Sequence, residues 1–139
     1  METTPRITVQ TTVAAPAARV WDFYTGPEHI VHWNAASADW HTPRAENDVR
    51  VGGRFVHHMA ARDGSVGFDF EGTYTQVVLQ QLLAYTMPDG RRVETTFEED
   101  GGVTKVTTVF DTDGQHPEEL QQQGWQAILD NFKAYAEAR

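Results

Sequence analysis

From Pro117 to Arg139 apolar residues fall at Leu120, Trp125, Ile128, Leu129, Phe132, Tyr135 and Ala136. Steps of three and four place most of them on one broad stripe of a helix. Pro117 suits the first helical position, where its missing N–H is harmless. Glu118 and Glu119 lie at the positive end of the helix dipole, with Lys133 and Arg139 towards the negative end. A helix over 117–139 at ~1.5 Å per residue is roughly 34 Å long, enough to cross a small domain, and its apolar stripe requires a sheet to lie in.

The opening pattern has a different period. Ile7, Val9, Thr11 and Val13 alternate with Thr8, Gln10 and Thr12, which predicts a half-buried strand. Pro16 then opens a helix with Ala17, Val20, Trp21 and Tyr24 at i, i+3, i+4 and i+7. Gly26-Pro27 breaks it before a second short helix through His29 and Ile30 to Trp33. From Ala38 to Asp111 six β-like segments follow, near Ala38–Ala45, Arg54–Ala61, Val66–Val78, Leu82–Met87, Arg91–Glu99 and Val103–Asp111. Turn signals separate them: Asn47-Asp48 with Gly52-Gly53, Arg62-Asp63-Gly64-Ser65, Leu79 to Gln81, Asp89-Gly90 and Asp100-Gly101-Gly102.

The order β, α, α, six β, long α predicts an α+β fold over residues 1–139 as one domain: a seven-stranded curved antiparallel sheet wrapped around the C-terminal helix. Phe55, Phe68, Phe70, Tyr74, Tyr85, Phe97 and Phe110 crowd the expected inner face. Where a curved sheet bends away from a helix the two surfaces diverge, and the gap is a ligand-sized cavity.

Composition narrows the chemistry. The formal net charge is −9, with 11 Lys and Arg against 20 Asp and Glu, so no nucleic-acid partner is expected. With no cysteine, disulfides and a thiolate nucleophile are excluded. The N-terminus METTPRITVQ has no apolar signal-peptide core and no run reaches a membrane span, so a cytoplasmic protein is expected.

The motifs APAARVWDFYTGPEHIVHWN (Ala15 to Asn34), NDVRVGGRF (Asn47 to Phe55), GFDFEGTY (Gly67 to Tyr74), YTMPDGRRV (Tyr85 to Val93) and GWQAILDNFKAYAE (Gly124 to Glu137) occur in order. Together they resemble the SRPBCC superfamily, with its helix-grip fold shared by lipid-transfer domains, birch-pollen-allergen-like proteins and polyketide cyclases. Within it the chain is similar to the group homologous to the C-terminal domain of the activator of the heat-shock-protein ATPase. The resemblance implies fold more firmly than activity. At 139 residues the chain has no room for that activator's separate N-terminal chaperone-binding domain, so direct chaperone stimulation is not expected.

Candidate site residues follow from parity. His57 and His58 are adjacent on a strand and point to opposite faces. If Phe55 and Met59 face the cavity, so does His57, either as an acid, base or hydrogen-bond donor to a ligand or as a core histidine bonded to a backbone carbonyl. Asp69 and Glu71 alternate with Phe68 and Phe70, which places the carboxylates on the solvent face. Tyr74 shares the inward parity, and its hydroxyl either reaches a ligand or is satisfied in the core. Trp33 and Trp40 bracket the segment after the second short helix and border the cavity mouth in the look-alike family, where they stack on a flat ligand or close the core. Trp125 is read as core packing, with Gly124 allowing close approach to the sheet.

The predicted cavity is therefore lined by Trp33, Phe55, His57, Met59, Phe68, Phe70, Tyr74, Tyr85 and Phe97, and no catalytic residue is assigned. The six histidines, His29, His32, His41, His57, His58 and His116, show no diagnostic metal spacing, and no metal or other cofactor is expected. Neither a phosphate loop nor a nucleophile elbow is present. The leading reading is a binding protein for an apolar or aromatic small molecule. The alternatives are a cyclase- or hydratase-like enzyme in which His57 or Tyr74 moves a proton, and a stress-response protein acting through a chaperone contact. A homodimer contact is left open.

Overall fold

The computed structural model describes residues 5–139. The elements are β1 (Arg6–Val13), α1 (Ala17–Thr25), α2 (Pro27–Trp33), β2 (Trp40–Asn47), β3 (Arg54–Ala61), β4 (Gly67–Val78), β5 (Leu82–Thr86), β6 (Arg92–Asp100), β7 (Val103–Asp111) and α3 (Glu118–Glu137). All seven strands join one sheet in the order β1-β7-β6-β5-β4-β3-β2. Every neighbouring pair is antiparallel, so β2 to β7 form a meander and β1 closes onto its far end. The sheet curves into a half-barrel with α3 as the long C-terminal helix.

The turns follow the local chemistry. Gly101 (φ 62°) and Gly102 (φ 83°) link Asp100 directly to its partner Val103, a two-residue hairpin in which both central residues need positive φ. Both ends of β2 lie two residues later than in the sequence reading, while the other strand ends shift by one residue at most. The strand expected over Ala38–Ala45 runs Trp40–Asn47, because the Asn34–Asp39 segment turns and Trp40 N donates back to the Ser37 carbonyl (3.2 Å). Asn47, read as part of a turn, instead pairs with Phe55 on β3. At the other end Leu120, placed on the apolar stripe, is 56% exposed on the first turn of α3.

The core sits between the β1–β7–β6 side of the sheet and the three helices. Val13, Val20, Ile30, Val93, Val106, Phe110 and Phe132 are essentially inaccessible, and full burial of such side chains stabilises by about 1.5–3 kcal/mol each. Tyr24 stacks on Trp33 (centroids 5.3 Å apart, 29°), and Phe132 meets both rings edge-on at 5.2 and 5.0 Å. α3 packs chiefly on β1 and also on α1 and α2.

The polar face of α3 also has a structural task. β1 is an edge strand, and several backbone groups on and just past its second half that turn away from β7 are met by α3 side chains. Gln126 Nε2 donates to the Gln10 carbonyl (3.0 Å), Lys133 Nζ to the Thr12 carbonyl, and the Ala14 N–H donates to Glu137 Oε2 (2.9 Å). The helix thus covers one open edge of the sheet. On the opposite edge, Pro43 removes a donor in the middle of β2, and the β2–β3 register shifts between His41 and Arg44, two features that resist strand addition.

Candidate ligand-binding cavity

Because α3 leans towards β1, the inner face of β3, β4 and β5 is left facing a cavity of about 350 Å³, within the range of small-molecule sites. Strand alternation supplies its wall. On β3, Phe55, His57 and Met59 turn inward, and on β4 Phe70 and Tyr74 do so, with Tyr85 from β5 between them. Trp33 and Ile30 from α2 and Ile128 and Leu129 from α3 close the helical side. Among the described residues no Lys, Arg, Asp or Glu lines it.

Eight of the nine residues expected at the cavity, Trp33, Phe55, His57, Met59, Phe68, Phe70, Tyr74 and Tyr85, line it, as does Trp40. Phe97 does not. It is 4% exposed and packs edge-on against Trp21 (5.3 Å) and Tyr24 (5.4 Å) in the core. Phe68 lines the cavity only at its rim, where it is 52% exposed and meets Trp40 edge-on at 5.7 Å. Trp125 is half-buried rather than a sealed core residue. It stacks on Phe110 (4.1 Å, 12°), meets Phe70 edge-on at 5.8 Å and borders the cavity. Gly124 is not a site of close approach: a Cβ there would meet no atom within 4 Å, and the residue borders the cavity.

Several residues that line the wall or support it from beneath carried no sequence signal for this role. Gly72 lies in the inward row of β4, between Phe70 and Tyr74. A Cβ on it would come within 2.7 Å of Tyr85 Cδ2 and 2.8 Å of Phe55 Cε1, so the missing side chain is what lets these two rings meet edge-on at 4.6 Å. Asn47 reaches in from the end of β2 and accepts the Tyr74 hydroxyl (2.6 Å) while its amide donates to the Thr25 carbonyl (2.8 Å). Thr95 and Thr108, opposite each other on β6 and β7, share a hydroxyl bond of 2.9 Å at the cavity floor.

The titratable groups are tuned by burial. His57 has its Nδ1 sealed from solvent with no hydrogen-bond partner. Desolvation, with a smaller push from the neighbouring His58 charge, lowers it to about 4, so the ring is neutral at pH 7. Burial likewise raises the Tyr85 and Tyr74 phenols, with Asn47 pulling Tyr74 part of the way back. Tyr24 is raised by burial against the opposing effect of the Thr95 and Thr108 hydroxyls.

The outer face of the sheet shows the opposite chemistry. His58 points away from the cavity, with Nδ1 2.7 Å from Asp69 and Nε2 3.0 Å from Glu46, and these carboxylates raise its pKa. Glu71 pairs with Arg54 at 2.8 Å. Both carboxylates of β4 therefore lie outside. His29 Nδ1 lies 2.6 Å from the Tyr135 hydroxyl and His32 stacks on the same ring, and among the described residues no three potential metal ligands converge.

A half-barrel sheet, a long C-terminal helix laid across one side of it, and an apolar cavity in the remaining gap define a helix-grip protein. The chain belongs to the family described as Activator of Hsp90 ATPase homolog 1-like protein, whose sequence model matches residues 14–137. The solution structure of the AHSA1-like protein from Aeromonas hydrophila is 47% identical, with a TM-score of 0.91, 96% of this chain covered and 93% of that one. A protein from Cytophaga hutchinsonii is also 47% identical, with a TM-score of 0.83 and coverage of 96% and 92%. A Nitrosomonas europaea protein at 20% identity has a TM-score of 0.83 over 96% and 94% of the two chains and shares the fold. Among proteins of curated function none matches significantly.

Proposed function

We propose that this protein is a binding module that holds an apolar, aromatic small molecule in the cavity between its sheet and its helices. The observation that carries the reading is the cavity itself: about 350 Å³, walled by Phe55, Phe70, Tyr85, Trp33 and Trp125, with His57 Nδ1 buried in that wall without a hydrogen-bond partner. Because that Nδ1 is sealed, the ring's Nε2 is the nitrogen a ligand in the cavity would engage. Membership of a family whose fold commonly binds hydrophobic ligands agrees with this. An enzyme reading is weaker, since Asp69 and Glu71 lie on the outer face and, among the described residues, no paired acid and base faces the cavity. No helix among the described residues is long and apolar enough to cross a membrane, and we place the protein in the cytoplasm.

The test is titration with Nile red, a neutral dye that brightens in apolar surroundings, together with native mass spectrometry of protein purified without denaturation. Saturable dye binding by the parent, lost in Gly124→Leu, is the expected result, because a side chain at Gly124 extends into the open space at the cavity's border. That variant should remain folded, since Leu replaces Gly inside a helix and recovers most of the about 0.8–1 kcal/mol of helix propensity by which Gly trails Ala. Absence of saturable binding by the parent would move the function to the protein's outer surface.

A further inference from the structure

We infer that the ligand of this cavity is uncharged and carries a hydroxyl, carbonyl or amide oxygen on an aromatic frame, and that the cavity rejects the corresponding carboxylates. The inference rests on the binding reading above and specifies the chemical class of its ligand. It comes from a census of the polar atoms in the wall.

Most of those atoms are already used. Trp33 Nε1 donates to the Phe23 carbonyl at 2.9 Å, and the Asn34 amide donates to Thr42 at 3.1 Å. Tyr74 and Asn47 satisfy each other and Thr25, while Thr95 and Thr108 bond to one another beside the Tyr24 hydroxyl. Apart from the half-buried Trp40 and Trp125, the described wall residues leave two polar groups without a protein partner, the His57 ring and the Tyr85 hydroxyl. Both flank the Phe55 ring, with centroids 5.0 Å from it for His57 and 4.6 Å for Tyr85. One ligand lying along Phe55 and Phe70 therefore comes within reach of both.

Both groups are neutral donors. His57 Nδ1 is sealed off, so the ring proton is better placed on Nε2, where a partner is able to reach it. The depressed pKa of about 4 keeps the ring uncharged at neutral pH, and the phenol of Tyr85 is raised and stays protonated. The wall contains no Lys or Arg to balance an anion. A carboxylate entering here would lose its hydration without meeting a countercharge, which is strongly unfavourable in a low-dielectric site. The formal net charge of −9 also repels anions on approach.

Four probes on one ring system separate the possibilities: naphthalene, 2-naphthol, 2-naphthamide and 2-naphthoate, titrated at pH 7.5 by Nile red displacement and amide chemical shifts. Naphthol and naphthamide should bind tighter than naphthalene. Naphthoate, of nearly the same shape as the amide, should bind at least about 100-fold more weakly than it, as expected for an uncompensated buried ion. His57→Leu and Tyr85→Phe should each weaken naphthol and naphthamide while leaving naphthalene unchanged, a pattern that general destabilisation would not produce. Naphthoate binding as tightly as naphthamide would overturn the inference and leave the binding reading standing. Binding of none of the four by a protein that binds Nile red saturably would overturn the inference alone, whereas absence of saturable Nile red binding would bring down both.

Discussion

The Tyr74 hydroxyl donates to Asn47 Oδ1 at 2.6 Å, and the Asn47 amide donates onward to the Thr25 carbonyl at 2.8 Å. One side chain at the end of β2 thus joins β4 to the last turn of α1. The parity of β4 places Tyr74 inward, but its hydroxyl is already bound within the protein, to Asn47. Tyr74→Phe should therefore lower stability by about 1 kcal/mol and leave Nile red binding unchanged. Asn47→Ala breaks both bonds and should cost about 2–3 kcal/mol. Urea melts of the two single variants and the double variant measure the coupling. A Tyr74→Phe protein of parental stability that binds dye poorly would return the hydroxyl to the ligand.

Trp125 stacks on Phe110 with centroids 4.1 Å apart while bordering the cavity. Its truncation therefore acts on two properties at once. Trp125→Ala should cost about 3 kcal/mol, as large aromatic truncations do, and should also alter dye affinity because the cavity wall is opened. A shift of less than about 1 kcal/mol in denaturant melts would mean that the stacked pair contributes little to stability.

His57 gives a pH dependence with a definite sign. The ring titrates near 6.5 when unfolded and near 4 when folded, so between these values the unfolded chain binds more protons. Its contribution is fully present above pH 6.5 and is lost as pH falls towards 4, amounting to about 3 kcal/mol in all at 1.36 kcal/mol per unit. The outward-facing His58 works in the opposite direction, because its pKa is raised by Glu46 and Asp69: its stabilisation is present in acid and lost as pH rises through the folded value. Urea midpoints of the parent and of His57→Leu from pH 7.5 to 4 separate the two effects. The parent should lose more stability over this range than the variant, and equal losses would show that His57 is not desolvated.

Periodicity made the elements legible, and parity made the faces legible, because both are local properties of the backbone. Phe55, His57 and Phe70 are where alternation places them. Depth along the cavity is not local. Phe68, Phe70 and Phe97 share an inward face, yet Phe68 emerges at the rim and Phe97 lies under Trp21 and Tyr24, since the position of the covering helices decides how much of each inner face is sealed. The same holds for polar partners. Gln126, Lys133 and Glu137 read as a solvated helix back, but they cover the edge of β1, and nothing in the spacing of α3 indicates which strand edge it will meet.

Gly72 tests the packing of the wall most directly. Gly→Ala in a strand normally stabilises by about 0.4–1 kcal/mol, because alanine has fewer unfolded conformations to lose. Here the added methyl would lie 2.7 Å from Tyr85 Cδ2, 2.8 Å from Phe55 Cε1 and 3.1 Å from Phe55 Cζ. Phe55 is 3% exposed and also contacts His57, Phe70 and Tyr74, so it has little room on the sheet side. The rings therefore move towards the cavity, the one open space beside them. Overpacking of this kind costs about 1–3 kcal/mol, so Gly72→Ala should be net destabilising and should also weaken binding as the cavity shrinks. Thermal melts and Nile red titration read the two effects separately. A variant as stable as the parent with full dye affinity would show that Phe55 and Tyr85 yield easily, and that the wall of the cavity is softer than their edge-on contact implies.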